Sequence, residues 1–302
     1  MTQIPNPTPP SVDIPNPDSD DGGRILIGTP GADRTAGTPG GDNFSELSGD
    51  DFVAAGGGND VVALGGGSDT VTGGTGNDSA QGNRGADSML GGAGDDCLRG
   101  GRDNDTVDGG EGSDILFGDR GDDIVRGGAG GDLVRGNLGV DFLQGDDGND
   151  TLQGGKGNDS LDGGDGNDFV SGQRGNDVLT GGDGADTFFF FYGPNGTYGV
   201  DTLTDFNGDE GDKIVLAAGP TVPEDASFNA LSGSAGGELP ANEFAVIENF
   251  NPATQGDNPA AIIYDPANGL VYYNPEQVIG DEDQILRVTP NTPLDNTDFE
   301  IF

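Results

Sequence analysis

The 302-residue chain has no histidine, no tryptophan and a single cysteine, and only 12 basic residues stand against 54 acidic ones. Each absence removes a class of chemistry. Without histidine there is neither an HExxH zinc site nor a Ser-His-Asp triad, and no GxSxG elbow occurs. Cys97 can form no intramolecular disulfide, and at a net charge of −42 no nucleic-acid partner is expected. The longest apolar run, Phe188 to Tyr192, falls far short of the roughly 20 residues of a transmembrane span, so none is expected. The opening MTQIPNPTPPSVDIPNPDSDDGG has neither the basic nor the apolar region of an ordinary signal peptide, so export would need another route. Apolar residues make up 31% of the chain and glycine 60 positions, too lean for a conventional core. At this charge such a composition describes a disordered chain unless some device holds it.

What is present is a strict repeat. From Gly28 to Phe189 the sequence runs through eighteen nonapeptides without an insertion, as in GGTGNDSAQ, GNRGADSML and GGAGDDCLR. Position 6 is always aspartate, position 8 is apolar in every repeat but the first (Thr35), and glycine dominates positions 1, 2 and 4. The last three residues alternate out, in, out, the period of a very short strand, and the glycines before them permit a sharp turn. Two repeats would close one coil of 18 residues, stacking the turns in two columns, one from odd and one from even repeats.

Each column then stacks aspartate on aspartate at the strand spacing of roughly 4.8 Å, where two unit charges repel by about 0.9 kcal/mol even at the dielectric of water. So thin a coil should not close unaided. A hard dication resolves the conflict: Ca²⁺ takes six to eight oxygens, which stacked turns offer as carboxylates and backbone carbonyls. Mg²⁺ fits less well, and zinc lacks its nitrogen and sulfur ligands here.

Three regions follow. Residues 1–27 read as a Pro/Asn/Asp-rich flexible tail, 28–189 as the repeat array, and 190–302 as a smaller, mainly β domain. In the last, the runs VDTLTDF, DKIVL, AAIIYD, LVYY, QILRV and FEIF alternate with turn residues. Asp205, Asn207 and Asp209 begin like an EF-hand loop, but Glu210 stands where the glycine belongs, so an EF-hand is rejected. Asp201, Asp205 or Asp212 could still hold an ion.

The array resembles the GGxGxDxUx repeats of the RTX (repeats-in-toxin) family, a known signature of calcium-binding β-helices. Its opening, ILIGTPGADRTAGTPGGDNF, is similar to the start of such arrays. GGDGADTFFF and VDTLTDFNGDEGDKIVLAAG resemble the family's capping region, and AAIIYDPANGLVYY with the final DFEIF resembles the C-terminal domain of exported members. The resemblance implies an all-β fold, a right-handed parallel β-roll (a solenoid) followed by a smaller β cap. It also implies type I secretion machinery engaging the C-terminus and an extracellular or cell-surface location. Carried onto position 6, it makes calcium ligands of Asp33, Asp42, Asp51, Asp60, Asp69, Asp78, Asp87, Asp96, Asp105, Asp114, Asp123, Asp132, Asp141, Asp150, Asp159, Asp168, Asp177 and Asp186.

Some repeats depart from the pattern. Repeats 1 and 2 carry Thr-Pro at positions 2 and 3, repeat 3 begins Glu46-Leu47-Ser48, and repeat 9 has Asp103 at position 4; these turns are expected to bind weakly or not at all. Charge sets a further limit. The array holds 31 acidic and 9 basic residues, so full occupancy would overshoot neutrality, and roughly 10–16 calcium ions are expected, nearer a dozen, with the acid-rich even column filling first. Position 3 of odd repeats carries Arg84, Arg102, Arg120, Lys156 and Arg174, a basic ladder that either neutralises its column or faces an anionic cell-surface polymer.

The function expected is that of a secreted, non-enzymatic calcium-binding module, structural or adhesive, that folds where calcium is plentiful. A non-catalytic accessory module of an RTX exoenzyme and a polysaccharide-binding surface protein are the alternatives.

Overall fold

A computed structural model of the chain describes residues 12–15, 23–192, 198–218, 237–238, 244–246, 262–273, 283–289 and 292–301. Most of the expected tail, and Phe302 of the closing DFEIF, lie outside the described residues. The protein is all-β, and among the described residues the one helical piece is a 3-10 turn at Asn296–Asp298. Two compact units divide at Phe142/Leu143.

In the first unit the strands fall into two parallel sheets according to the parity of the repeat. Even repeats supply Asn43–Ser45, Val61–Ala63, Ser79–Gln81, Cys97–Arg102, Ile115–Arg120 and Leu133–Leu138, and odd repeats supply Arg34–Ala36, Phe52–Gly57, Thr70–Thr75, Ser88–Ala93, Thr106–Glu111 and Ile124–Ala129. Neighbours pair with an offset of 18: Leu98 faces Leu116, which faces Val134, and Val107 faces Val125. Two nonapeptides therefore make one coil, as the repeat requires. Position 8 fills the interior, where Val53, Val107, Leu116 and Val134 are wholly buried.

Most strands are longer than the alternation of three residues predicts. Six residues are extended, running from position 7 through position 3 of the next repeat, with positions 8 and 1 both facing inward. The glycines thus do separate jobs. Positions 2 and 4 take the left-handed conformation, as at Gly101 (117°), Gly110 (110°) and Gly94 (130°), and Asp103 at position 4 of repeat 9 adopts it too (76°). Position 1 does not; it is glycine for reasons of space.

Within the region read as a tail, Val12–Pro15 forms a strand antiparallel to Arg24–Ile27, which pairs onward with Asn43–Ser45. It covers what would otherwise be an open sheet edge.

The second unit continues the pattern with Thr151–Lys156, Phe169–Arg174 and Thr187–Tyr192 in one sheet and Ser160–Asp165 and Val178–Asp183 in the other. All six strands read from the C-terminal sequence are present. Lys213–Ala218 pairs in parallel with Thr187–Tyr192 and then with Phe299–Ile301. Asp201–Leu203 extends the other sheet to Asp283–Arg287, which pairs with the hairpin Ile262–Asp265/Leu270–Tyr273.

Candidate metal centre

The position-6 aspartates from Asp42 to Asp186 are all buried, an unusual place for so many carboxylates. One oxygen of each is spoken for. In the first unit the Asp69 N–H donates to Asp87 Oδ1 (2.8 Å), Asp87 N–H to Asp105 Oδ1 (2.8 Å) and Asp105 N–H to Asp123 Oδ1 (2.8 Å), and Asp78, Asp96 and Asp114 form the matching series in the even column. In the second unit Asp150 donates to Asp168 and Asp168 to Asp186. Each side chain thereby grips the coil before it.

The second oxygen has no such partner. Oδ2 of Asp51, Asp69, Asp78, Asp87, Asp96, Asp105, Asp114, Asp123, Asp168 and Asp186 is buried without a hydrogen bond. Burial pushes the Asp105 carboxyl up to about 8, Asp87 to about 7 and Asp123 to about 6, against the opposing effect of the backbone N–H each accepts. A row of ionised oxygens in that position demands positive charge.

Position 1 makes the room. A Cβ built on Gly73 would strike Asp78 Oδ2 and lie 2.5 Å from the Gly91 carbonyl oxygen, and one on Gly109 would strike Asp114 Oδ2 and lie 2.6 Å from the Gly127 oxygen. Gly82 and Gly91 in the first unit and Gly163 in the second repeat this geometry. Glycine here preserves a small space that a carboxylate oxygen and a carbonyl oxygen approach together. An all-oxygen set of this kind suits a hard cation such as calcium.

The ends of the ladder are built differently. In repeats 1 and 2 the threonine of Thr-Pro closes the carboxylate: Thr29 N–H and Oγ1 donate to Asp33 Oδ2 at 2.6 and 2.9 Å, and Thr38 N–H and Oγ1 to Asp42 Oδ2 at 2.6 and 3.0 Å. In both turns threonine satisfies the Oδ2 atom.

Beyond the last repeat the ladder continues in disguise. Asp177 N–H donates to Asp201 Oδ1 (3.0 Å) and Asp186 N–H to Asp212 Oδ1 (2.9 Å), so both stand where position 6 of further repeats would be. Asp212 Oδ2 accepts the Asn207 N–H (2.8 Å), closing that end, while Asp205 accepts the N–H groups of Gly181 and Gly182. Asp201 is raised well above the usual range by burial and by the Asp177 charge beside it.

A second ladder was not expected from the sequence. Position 5 runs outside the first, with Asn77 N–H donating to Asn59 Oδ1, Asp95 N–H to Asn77 Oδ1 and Ser113 N–H to Asp95 Oδ1, at 3.0 to 3.1 Å. The abundance of Asn, Asp and Ser at that position was the available signal. Arg102 faces Arg120 in the first unit, both exposed, and exposed Lys156 faces half-buried Arg174 in the second. Beside Arg102 and Arg120, Arg99 and Arg135 flank the Phe117 ring, with Cζ at 4.7 and 5.8 Å from its centroid. Cys97 is an exposed free thiol.

The family described as RTX calcium-binding nonapeptide repeat matches residues 27–190 in overlapping copies, from 27–62 to 162–190. The chain belongs to that family. No curated protein matches it. Membership supplies the cation that the buried oxygens call for: the RTX repeats bind multiple Ca²⁺ ions, and the array has a structural, calcium-binding role. Among the described residues no helix is long and apolar enough to cross a membrane.

Proposed function

We propose that the position-6 aspartates of the consensus turns, from Asp78 to Asp186, are calcium ligands of this RTX roll through Oδ2, while Asp42 is closed by threonine. The observation that carries this is made at Asp78, Asp87, Asp96, Asp114 and Asp168, where a buried Oδ2 without a hydrogen bond meets a position-1 glycine whose Cβ would fill the same space. When bound, the ions supply the positive charge that lets stacked carboxylates ionise side by side. The chain's own contribution is geometric: the backbone ladder holds Oδ1, glycine keeps the space open, and position 8 anchors the strand.

The protein then acts as a secreted structural module, folding outside the cell and exported through its C-terminal region by type I secretion. RTX repeat arrays are typically non-catalytic, and the chain has no histidine to build the hydrolytic sites considered above. Calcium sites of extracellular modules fall at about 10⁻⁴ to 10⁻³ M, which suits such a switch. A second reading, docking of an anionic surface polymer, is favoured by the exposed, in-register arginines beside Phe117.

Circular dichroism of the chelated chain during a calcium titration tests the main reading. β-structure is expected to appear cooperatively as calcium rises; a chain already β-rich in chelator and unchanged by calcium would overturn it.

A further inference from the structure

Two departures from the repeat consensus meet each other. Thr35 is the one position-8 residue that is not apolar, and Glu46 puts a carboxylate at position 1, where most repeats have glycine. Thr35 Oγ1 donates to Glu46 Oε1 at 2.9 Å, and both side chains are buried. Residue 46 is one coil beyond residue 28, and a Cβ on Gly28 would collide with Glu46 Oε2, so the carboxylate occupies space that Gly28 leaves open. Glu46 is only 3% exposed, yet its Oε2 has no hydrogen-bond partner, and neither does Oδ2 of Asp51, also 3% exposed.

One oxygen from each of Asp33, Glu46 and Asp51 lies within 4.8 Å of the other two. Oxygens about 4.8 Å apart can straddle a single Ca²⁺, whose ligands stand about 2.3–2.6 Å away. All three carboxylates are held from one side: Asp33 by the Thr29 N–H and hydroxyl, Glu46 by Thr35, and Asp51 Oδ1 by the Asp33 N–H at 2.8 Å. Glu46 Oε2 and Asp51 Oδ2 have no such hydrogen bond and are left for an ion, with the Asp33 carboxylate beside them.

We propose that Asp33, Glu46 and Asp51 form a separate divalent-cation site at the head of the array, made of side-chain carboxylates where the consensus turn pairs a carboxylate with a backbone carbonyl. It takes calcium more tightly than a consensus turn, because three carboxylates converge on one ion and affinity rises with ligand charge. The sequence pattern alone marks repeat 3 as defective. The geometry marks it as specialised.

The inference rests on the calcium reading above, and the experiment separates the two. Bound ions are counted on the full chain by equilibrium dialysis and native mass spectrometry across a calcium series, for wild type, Glu46→Gln and, as a consensus-turn control, Asp114→Asn. Glu46→Gln is expected to lose one ion from the tightest class, its first binding step weakening about tenfold or more, whereas Asp114→Asn keeps that step. An unchanged count and first step in Glu46→Gln would overturn the new site alone; no calcium bound by any of the three would sink the calcium reading itself. Should Glu46→Gln fail to fold, crystals of the wild-type chain soaked in terbium are expected to show an anomalous peak among the three carboxylates. Terbium peaks confined to the consensus turns, with Glu46 hydrogen-bonded to Asp33 or Asp51 through a shared proton, would overturn it.

Discussion

Asp42 and Asp105 occupy the same position of the second and ninth repeats and meet opposite fates. Asp42 Oδ2 takes two hydrogen bonds from Thr38, whereas Asp105 Oδ2 is buried with none. At the other end Asp212 resembles Asp42, accepting from Asn207. Oδ2 of these terminal aspartates takes hydrogen bonds that the chain supplies, and Oδ2 of interior ones such as Asp105 takes none. The difference shows that aspartate in a glycine-rich turn does not by itself make an ion site; what neighbours Oδ2 decides. Threonine at position 2 donates to Oδ2, whereas a left-handed residue there, glycine or not, goes with an Oδ2 that has no hydrogen bond, as at Gly101 with Asp105 and Asn83 with Asp87.

The broadest way to break the comparison is pH. Without cations, burial chiefly raises interior carboxyls in the fold, Asp105 to about 8, Asp87 and Asp141 to about 7, and Asp96 and Asp186 to about 6. An unfolded aspartate titrates near 3.9. Between those values the fold binds protons that the unfolded chain has released, so the stability of the cation-free fold is present at low pH and lost as pH rises through about 6 to 8. In chelator, circular dichroism is expected to show more residual β-structure at pH 5.5 than at pH 8. Equal signals, or more β-structure at pH 8, would mean that the interior oxygens are not stranded as described.

A more local effect is expected from Gly109→Ala. Its methyl would strike Asp114 Oδ2 and the Gly127 carbonyl in the space reserved at position 1. Overpacking of this kind costs about 1–3 kcal/mol, and one ion should be lost from the count at saturating calcium. Ala55→Gly at the same position in repeat 4 removes a methyl the protein already accommodates and should lose no ion. If the two changes behave alike, position 1 is not what separates open rungs from closed ones.

Much of this was legible in the sequence. The 18-residue coil, the interior of position-8 side chains and the six C-terminal strands all follow from period and alternation, because each depends on side chains that recur at fixed spacing. Other features depend on glycine or on broken spacing. The strand through positions 1–3 is hidden because glycine has little strand preference, yet its neighbours on the same sheet extend it. Asp201 and Asp212 carry on the ladder 24 and 26 residues after their partners, outside the period of 18. The Thr-Pro turns were visible as departures and were expected to bind poorly. That Thr29 and Thr38 donate to the aspartates of these turns needed coordinates. So did the contact of Thr35 with Glu46, since each alone looks like decay of the repeat.

The smallest expected effect tests the closed rungs most directly. Thr38→Val removes one of the two donors to Asp42 Oδ2 and keeps the backbone N–H at 2.6 Å. The loss of one hydrogen bond is worth about 0.5–1.5 kcal/mol, read as a lower urea midpoint in saturating calcium, and the ion count should not change because the N–H still occupies the oxygen. Thr38→Gly goes further, since it restores the residue that most repeats carry at position 2, where glycine adopts a left-handed backbone, as Gly56 and Gly74 do at 114° and 116°. A residue at position 2 in that conformation turns its N–H elsewhere, and Gly37 already keeps position 1 open beside Asp42 Oδ2. The rung should then gain an ion that the wild-type chain does not bind there, and stability should become more calcium-dependent as it does so. If Thr38→Gly costs stability and gains no ion, threonine is only a local hydrogen-bonding residue, and the open or closed state of a rung is set by something other than position 2.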